Sequence, residues 1–330
     1  MWFEKLVGFR EVNPDQVRSN LIIEDDKLIS KINGQIYKFG KLEVPMLLEL
    51  KESSPLLEFY KYNISVSEIV GDIQELHKDV NNKGALFQAA SQFNLLEMVS
   101  PNITPERGID IYENDFTQGP ACAIACGAGT IFRNYFVKSG NQIGQSTQKQ
   151  IDCLEEIGID LKNKELHLWD MKNGYALANL EGLKTISEHL NTMSPEEYEK
   201  LKGKLKIGLQ WDTEVTISEN GHLVSQAYCS ALPIAYTDII PEYWEPFARL
   251  ILEASYEAIF YAALKNYEKT GNRSLFLTLV GGGAFGNKLS WILDAIAKSV
   301  NKFKNTPLDV RIVSYGRSKL EVNEFIGNLN

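Results

Sequence analysis

Residues 275–303 read LFLTLV, GGGAFG and NKLSWILDAIAKSVNKF in succession. Leu275 to Val280 is an apolar run of strand length. Gly281, Gly282, Gly283, Ala284, Phe285 and Gly286 form a tight loop, and Leu289, Ile292, Leu293, Ile296, Val300 and Phe303 recur at helical spacing. A strand, a glycine loop and a helix in that order predict a seat for a phosphate. Glycines lack the Cβ that keeps a ligand off the main chain, and the helix that follows aims its partly positive N-terminus at an anion. The loop is expected to hold a diphosphate; the plainer alternative is a close-packed turn without a ligand.

Gly281, Gly283 and Gly286 also fit the dinucleotide fingerprint G-x-G-x-x-G. Context opposes that reading. A nicotinamide-dependent dehydrogenase continues into a strand ending in an acid for the ribose, and then into further strand–helix units. Here the next strand, Asp309 to Ser314, ends at Tyr315 and the sequence stops soon afterwards. An aromatic ring at a strand end suits stacking on a base, although such a ring is also at home in a core.

The 330 residues are 44% hydrophobic and 23% charged, enough for one large domain or two small ones. A net charge of −9 and a pI near 5.2 argue against a nucleic-acid partner held by broad phosphate neutralisation. Cys122, Cys126, Cys153 and Cys229 are scattered without a CxxC pair, so they read as reduced core thiols. His77, His167, His189 and His222 lie apart, and neither a metal site nor a cofactor is expected. Charges interrupt the apolar residues of the opening MWFEKLVGFREV, and no spanning apolar run follows. The expected location is cytoplasmic, with no membrane partner.

An alternating segment from Leu28 to Phe39 is broken at Asn33-Gly34, a hairpin signal, so residues 1–60 are expected to form a small β extension packed on a main domain of residues 61–330. That domain opens with a strand at Ile64–Val70, a turn at Gly71-Asp72, a short helix at Ile73–Val80 and a buried strand at Gly84–Ala89. Further strands are expected at Leu205–Gln210 and Leu223–Ser230, and a long helix at Glu245–Lys265, whose apolar residues share one face.

Three of these features, in order, resemble macrodomains, the ADP-ribose-binding α/β modules. Gly71, Asp72 and Ile73 match the family's GDI, and Gln88, Ala89, Ala90 and Ser91 stand where it carries NAAN. GGGAFG stands for its late S-x-G-x-x-G loop, and Tyr315 for the aromatic residue that follows the last strand. The resemblance implies a macrodomain-like three-layer α/β fold, a mixed β-sheet between helices, with an insertion around 138–205. It implies an ADP-ribose site of Asp72, Ile73, Ser91 or Asn94, Gly281 to Gly286 and Tyr315. Asp72 has a second role open to it, capping the helix at Ile73.

Residues 97–120 form a loop punctuated by proline and glycine that carries Glu97, Glu106, Asp110, Glu113 and Asp115. Any one of these acids is more often a solvated charge, but the group follows directly on the candidate ribose strand. Cys122 to Val137 begins as a helix and continues with TIFRNYFV, read as a strand. From Gln88 through Arg133-Asn134-Tyr135 the chain resembles a divergent branch of macrodomain-like ADP-ribosyl hydrolases, which implies release of ADP-ribose from arginine on an ADP-ribosylated protein. Cleavage of an N-glycosidic bond passes through an oxocarbenium-like state that needs carboxyl groups. Glu97 and Asp115 are the leading pair, with Asp110 in reserve. A reader that binds ADP-ribose or a related nucleotide without turnover stays open, since one scaffold hosts both.

Overall fold

The computed structural model describes residues 1–55 and 57–329. Two short helices, α1 (Trp2–Val7) and α2 (Pro14–Asn20), lead into an antiparallel sheet of β1 (Leu21–Glu24), β2 (Lys27–Ser30) and β3 (Ile36–Lys38). The hairpin turns at Asn33-Gly34 with Leu28 facing Tyr37 and Ile29 facing Ile36. Strand β4 (Lys41–Glu43) then crosses to the main sheet, where Leu42 faces Gln210, and α3 (Leu47–Glu52) follows it. The main sheet thus takes an edge strand from within the 1–60 segment.

The chain continues through β5 (Ser65–Val70), α4 (Ile73–Lys78), β6 (Leu86–Ala90), α5 (Gln118–Ala125) and α6 (Gly127–Tyr135). The segment 138–205 holds two small hairpins, β7 (Lys138–Ser139) with β8 (Gln142–Ile143) and β9 (Trp169–Lys172) with β10 (Tyr175–Ala178). Around them lie α7 (Glu155–Asp160), α8 (Asn163–Leu166), α9 (Leu180–Thr192) and α10 (Pro195–Lys202), the last opened by a capping box between Ser194 and Glu197. Then come β11 (Gly208–Glu214), β12 (Leu223–Cys229), α11 (Pro241–Thr270), β13 (Ser274–Leu277), α12 (Leu289–Lys302), β14 (Asp309–Ser314) and α13 (Leu320–Leu329).

Seven of these strands form one mixed sheet of order β4-β11-β12-β6-β13-β14-β5. Five adjacent strands, β12, β6, β13, β14 and β5, run parallel, and β11 turns against β12. Helices α3, α9 and α12 gather on the long α11, while α4, α5 and α6 pack together and against β6 and β11. This is the mixed sheet between helices that the sequence predicted. Central β6, a parallel strand covered on both faces, is apolar apart from Gln88, whose Oε1 takes the Thr278 N–H (2.9 Å). Phe87 stacks on Phe276 of neighbouring β13 with centroids 4.4 Å apart, and His77 of α4 covers Phe87.

Two expectations are corrected. TIFRNYFV is not a strand but the body of α6, because Gly127, Ile131 and Tyr135 fall four apart on a buried face. The strand expected at Leu205–Gln210 is displaced to Gly208–Glu214. A second apolar cluster joins Phe3, Val7 and Val17 to Ile109, Tyr112, Ile131 and Tyr135. There Glu11 accepts from the Tyr135 hydroxyl (2.5 Å) and the Asp110 N–H (2.6 Å), so the N-terminal segment clamps the acidic loop. Burial lifts the Glu11 carboxyl to about 7. Among the described residues no helix is long and apolar enough to cross a membrane, and the four cysteines are buried and unbridged.

Candidate active site

The carboxyl ends of five parallel strands open onto one rim, where ligands of α/β sheets are commonly seated. Gly71-Asp72, residues 91–117, residues 230–240, residues 278–288 and residues 315–319 are the loops that leave it. Strand β13 ends at Leu277, and the glycine turn closes through Gly282 N–H to Leu279 O (3.0 Å), Gly286 N–H to Gly283 O (3.0 Å) and Asn287 N–H to Gly281 O (2.9 Å). Gly281 sits at φ +78°, where a Cβ would overlap Ala231 and lie 2.7 Å from Asn287 Nδ2. Asn287 Nδ2 donates to Leu232 O (2.9 Å), and Phe285 O accepts from Ala235 N–H (3.1 Å), so the turn is pinned to the loop after β12.

The crest of the turn is open. Gly282, Gly283 and Ala284 are exposed, and a Cβ on Gly283 would meet nothing within 4 Å. The N–H groups of Gly283, Ala284 and Phe285 donate to no backbone carbonyl among the described residues. Helix α12 begins three residues beyond Gly286 at an N-cap, Lys288, that gives no side-chain cap. Free N–H groups on a turn and at an uncapped helix start are suited to an anion.

At the end of β14, the strand beside β13, Tyr315 is 76% exposed, so it is not a core ring. Exposed Asp72 caps α4, accepting from Gln74 N–H (2.7 Å), the second of its two expected roles; Ile73 is buried, leaving only its main chain to the rim. Ser91 and Asn94 face inward, unlike the ribose contact expected of them. Ser91 Oγ donates to Gln92 O (3.0 Å). Asn94 Nδ2 donates to Gln150 Oε1 (2.8 Å) while its Oδ1 takes the Leu96 N–H (3.1 Å). Both side chains shape the loop that carries Glu97.

Glu97 is 2% exposed, and neither carboxyl oxygen has a hydrogen-bond partner among the described residues. Its N–H donates to the Tyr112 hydroxyl (3.0 Å). Gly119, in the first turn of α5, must lack a side chain, since a Cβ there would lie 3.3 Å from Glu97 Cγ and overlap Ala90 O. Burial raises the carboxyl to about 8, and the charge of Arg133 and the Tyr112 hydroxyl beside it offset only part of that rise. Burial thus favours the protonated form of Glu97. Half-buried Asp115 accepts from Thr117 N–H (2.9 Å) at the N-cap of the same helix, so two of the three expected acids each lie against the start of α5. Asp110 does not join them: Arg107 pairs with its carboxylate at 3.0 Å and Glu11 holds its N–H.

An aromatic triangle ties the glycine turn to the Glu97 loop. Phe285 lies 5.3 Å from Tyr175 and 5.6 Å from Tyr236, centroid to centroid, and the Tyr175 hydroxyl donates to Met98 O (2.6 Å). Burial, the neighbouring Tyr236 and the charge of Asp115 all raise the Tyr175 phenol. A separate cavity of about 520 Å³ between α10, α11 and α12 is lined by Lys202, Glu253, Glu257, Lys298 and Lys302, whose charges already pair with one another. None of the rim residues lines it.

Two groups around the Glu97 loop had no individual role in the sequence reading. Arg133 is the only charged residue between Phe116 and Val137, a signal in itself, and it is fully buried. Gln118 takes the Ala90 N–H (2.9 Å) and donates to Gln88 O (2.7 Å), stitching the start of α5 onto β6.

No family model and no curated protein matches the sequence. Among solved structures the chain is similar to poly(ADP-ribose) glycohydrolase from Thermomonospora curvata bound to the inhibitor ADP-HPD, with 12% identity over 96% of this chain and 97% of that one and a TM-score of 0.43. It is also similar to poly(ADP-ribose) glycohydrolase from Deinococcus radiodurans in complex with ADP-ribose, with 10% identity over 88% and 92% and a TM-score of 0.46.

Proposed function

We propose that this chain is an ADP-ribosyl hydrolase that cleaves the glycosidic bond at the ribose distal to adenine, with arginine-linked ADP-ribose as its preferred substrate. The observation that carries this reading is Glu97: a buried carboxyl with both oxygens unpartnered, held protonated beside the start of α5. A protein that only binds has no need of such a group, since an unsatisfied buried carboxyl is costly. The diphosphate lies on the open glycine turn, Phe285 beside the distal ribose, and adenine against Tyr315 with Asp72 near its amino group.

In the reaction the bond from ribose C1 to the leaving nitrogen breaks and its electron pair stays on nitrogen. Glu97 gives that nitrogen its proton. A water, deprotonated by Asp115, forms the new bond to C1, so one water is consumed and the ribosyl cation is never free. Protonation of the leaving group suits a guanidine, a poor leaving group unless it departs as the cation.

The test is product release from a panel of arginine-, glutamate- and serine-linked ADP-ribosyl substrates and poly(ADP-ribose). Release from the arginine linkage at the highest rate is expected. Fastest release from the polymer would keep the hydrolase and overturn the arginine preference; tight ADP-ribose binding without release from any substrate would establish the reader instead.

A further inference from the structure

Arg133 and Glu97 are buried together, yet they do not hydrogen-bond. The nearest approach, Arg133 Nη2 to Glu97 Oε1, is 3.7 Å, beyond hydrogen-bond range, while Arg133 Nη1 has no partner among the described residues. A guanidinium and a carboxyl enclosed side by side would ordinarily close into a two-pronged pair. Something holds the arginine back.

Three contacts do so. Arg133 Nε donates to Leu95 O (3.2 Å) and Nη2 donates to Thr130 Oγ1 (3.1 Å), fixing the plane of the guanidinium. Its face lies over the Tyr228 ring with Cζ 3.6 Å from the centroid. The Tyr228 ring cannot swing away, because its hydroxyl donates to Gln226 Oε1, two residues back on the same face of β12. Gln226 Nε2 in turn donates to Cys122 O (2.8 Å) and to His77 Nε2 (3.0 Å). His77 Nδ1 donates to Ile73 O (2.7 Å) in the first turn of α4. A buried chain therefore runs from the rim at α4, beneath the sheet's side chains, to the arginine.

We propose that Tyr228 is a positioning residue that keeps Arg133 flat and out of hydrogen-bond reach of Glu97, so that the buried carboxyl stays unpaired. The inference rests on the hydrolase reading, because only a reacting carboxyl gains from being kept unpaired. The ionisable groups around Glu97 are Arg133 from α6, the Tyr112 phenol from the acidic loop, the Cys122 thiol from α5 and the Tyr228 phenol from β12. Arg133 is the cation among them, so it is the group whose movement changes the charge of Glu97.

The experiment titrates Glu97 directly in the full chain carrying ¹³C-carboxyl glutamate, with the resonance assigned by its loss in Glu97→Gln. Tyr228→Leu removes the plate, Arg133 closes on the carboxyl, and the Glu97 midpoint falls by about one pH unit or more, as a contacting opposite charge requires. Tyr228→Phe keeps the ring but loses its anchor on Gln226, so the midpoint falls by less than in Tyr228→Leu. In the reaction, Tyr228→Leu lowers kcat about twofold at pH 7 and close to tenfold well above pH 8, with KM little changed, since the proton is lost and not the binding surface. A midpoint that stays put or rises in Tyr228→Leu overturns the proposal. Should that variant not fold, Thr130→Val releases one tether of the same guanidinium, and a smaller fall is expected; an unmoved midpoint there overturns it equally. The two readings fail separately: full turnover in Glu97→Gln ends the hydrolase reading, whereas the titration judges Tyr228 whether or not the protein is an enzyme.

Discussion

Replacing Glu97 by glutamine tests the buried carboxyl through both stability and turnover. Burial lifts this group from 4.5 to about 8. The folded protein thus holds the proton more tightly than the unfolded chain, so this contribution to stability is complete below pH 4.5 and declines as the pH rises toward 8. Each pH unit inside the window removes about 1.4 kcal/mol. Between pH 5 and pH 7 the wild type should therefore lose roughly 2–3 kcal/mol that the uncharged glutamine does not lose. Urea unfolding of both proteins at a series of pH values measures the difference. Glu11, lifted to about 7, loses stability with the same sign in both proteins and cancels. A difference that stays constant across the window would refute a buried, protonated carboxyl at this position. At pH 7 turnover should fall by about a hundredfold or more, while calorimetry with free ADP-ribose should give nearly the wild-type affinity.

Asp115→Asn should also lower turnover by about a hundredfold, and because its carboxylate accepts from Thr117 N–H the variant should unfold slightly more easily; single-turnover release checks the rate. Gly283→Glu should fold normally, since a Cβ there meets nothing, and should abolish the micromolar-range binding expected for ADP-ribose. Gly281→Ala should instead cost about 2 kcal/mol or more of stability, because the residue combines a positive φ with an overlap on Ala231; thermal unfolding separates the two variants. Asp72→Ala should lose about 1 kcal/mol with the cap on Gln74. A larger loss of affinity for ADP-ribose than for its inosine counterpart would add the adenine contact, and equal losses would leave the cap alone.

The strand, glycine turn and helix at 275–303 were legible because each is written locally, in a short apolar run, in glycines and in a period of 3.6. The sheet order was not, since nothing local tells β6 that β12 and β13 flank it. Helix α6 was misread because TIF at its centre has the composition of a strand, and only its buried side in the fold decides between periods. Glu97 stood out by its place after β6, but what sets its chemistry is burial beside Arg133 and Gly119, which sequence spacing does not report. Asn94 shows the same limit: an asparagine near a ribose strand looks the same whether its amide meets a ligand or, as here, Gln150.

Leu86 lies between Ser225 of β12 on one side and Leu275 of β13 on the other. During synthesis, then, β6 leaves the ribosome with both edges bare and waits for well over a hundred residues to follow, on the order of ten seconds at the usual elongation rate. Pairings so distant in sequence form slowly. The rim that gathers Glu97 and the glycine turn is accordingly a late product of folding, and chains cut short before residue 275 would carry a central strand with an open edge, a template for pairing with another copy and for aggregation.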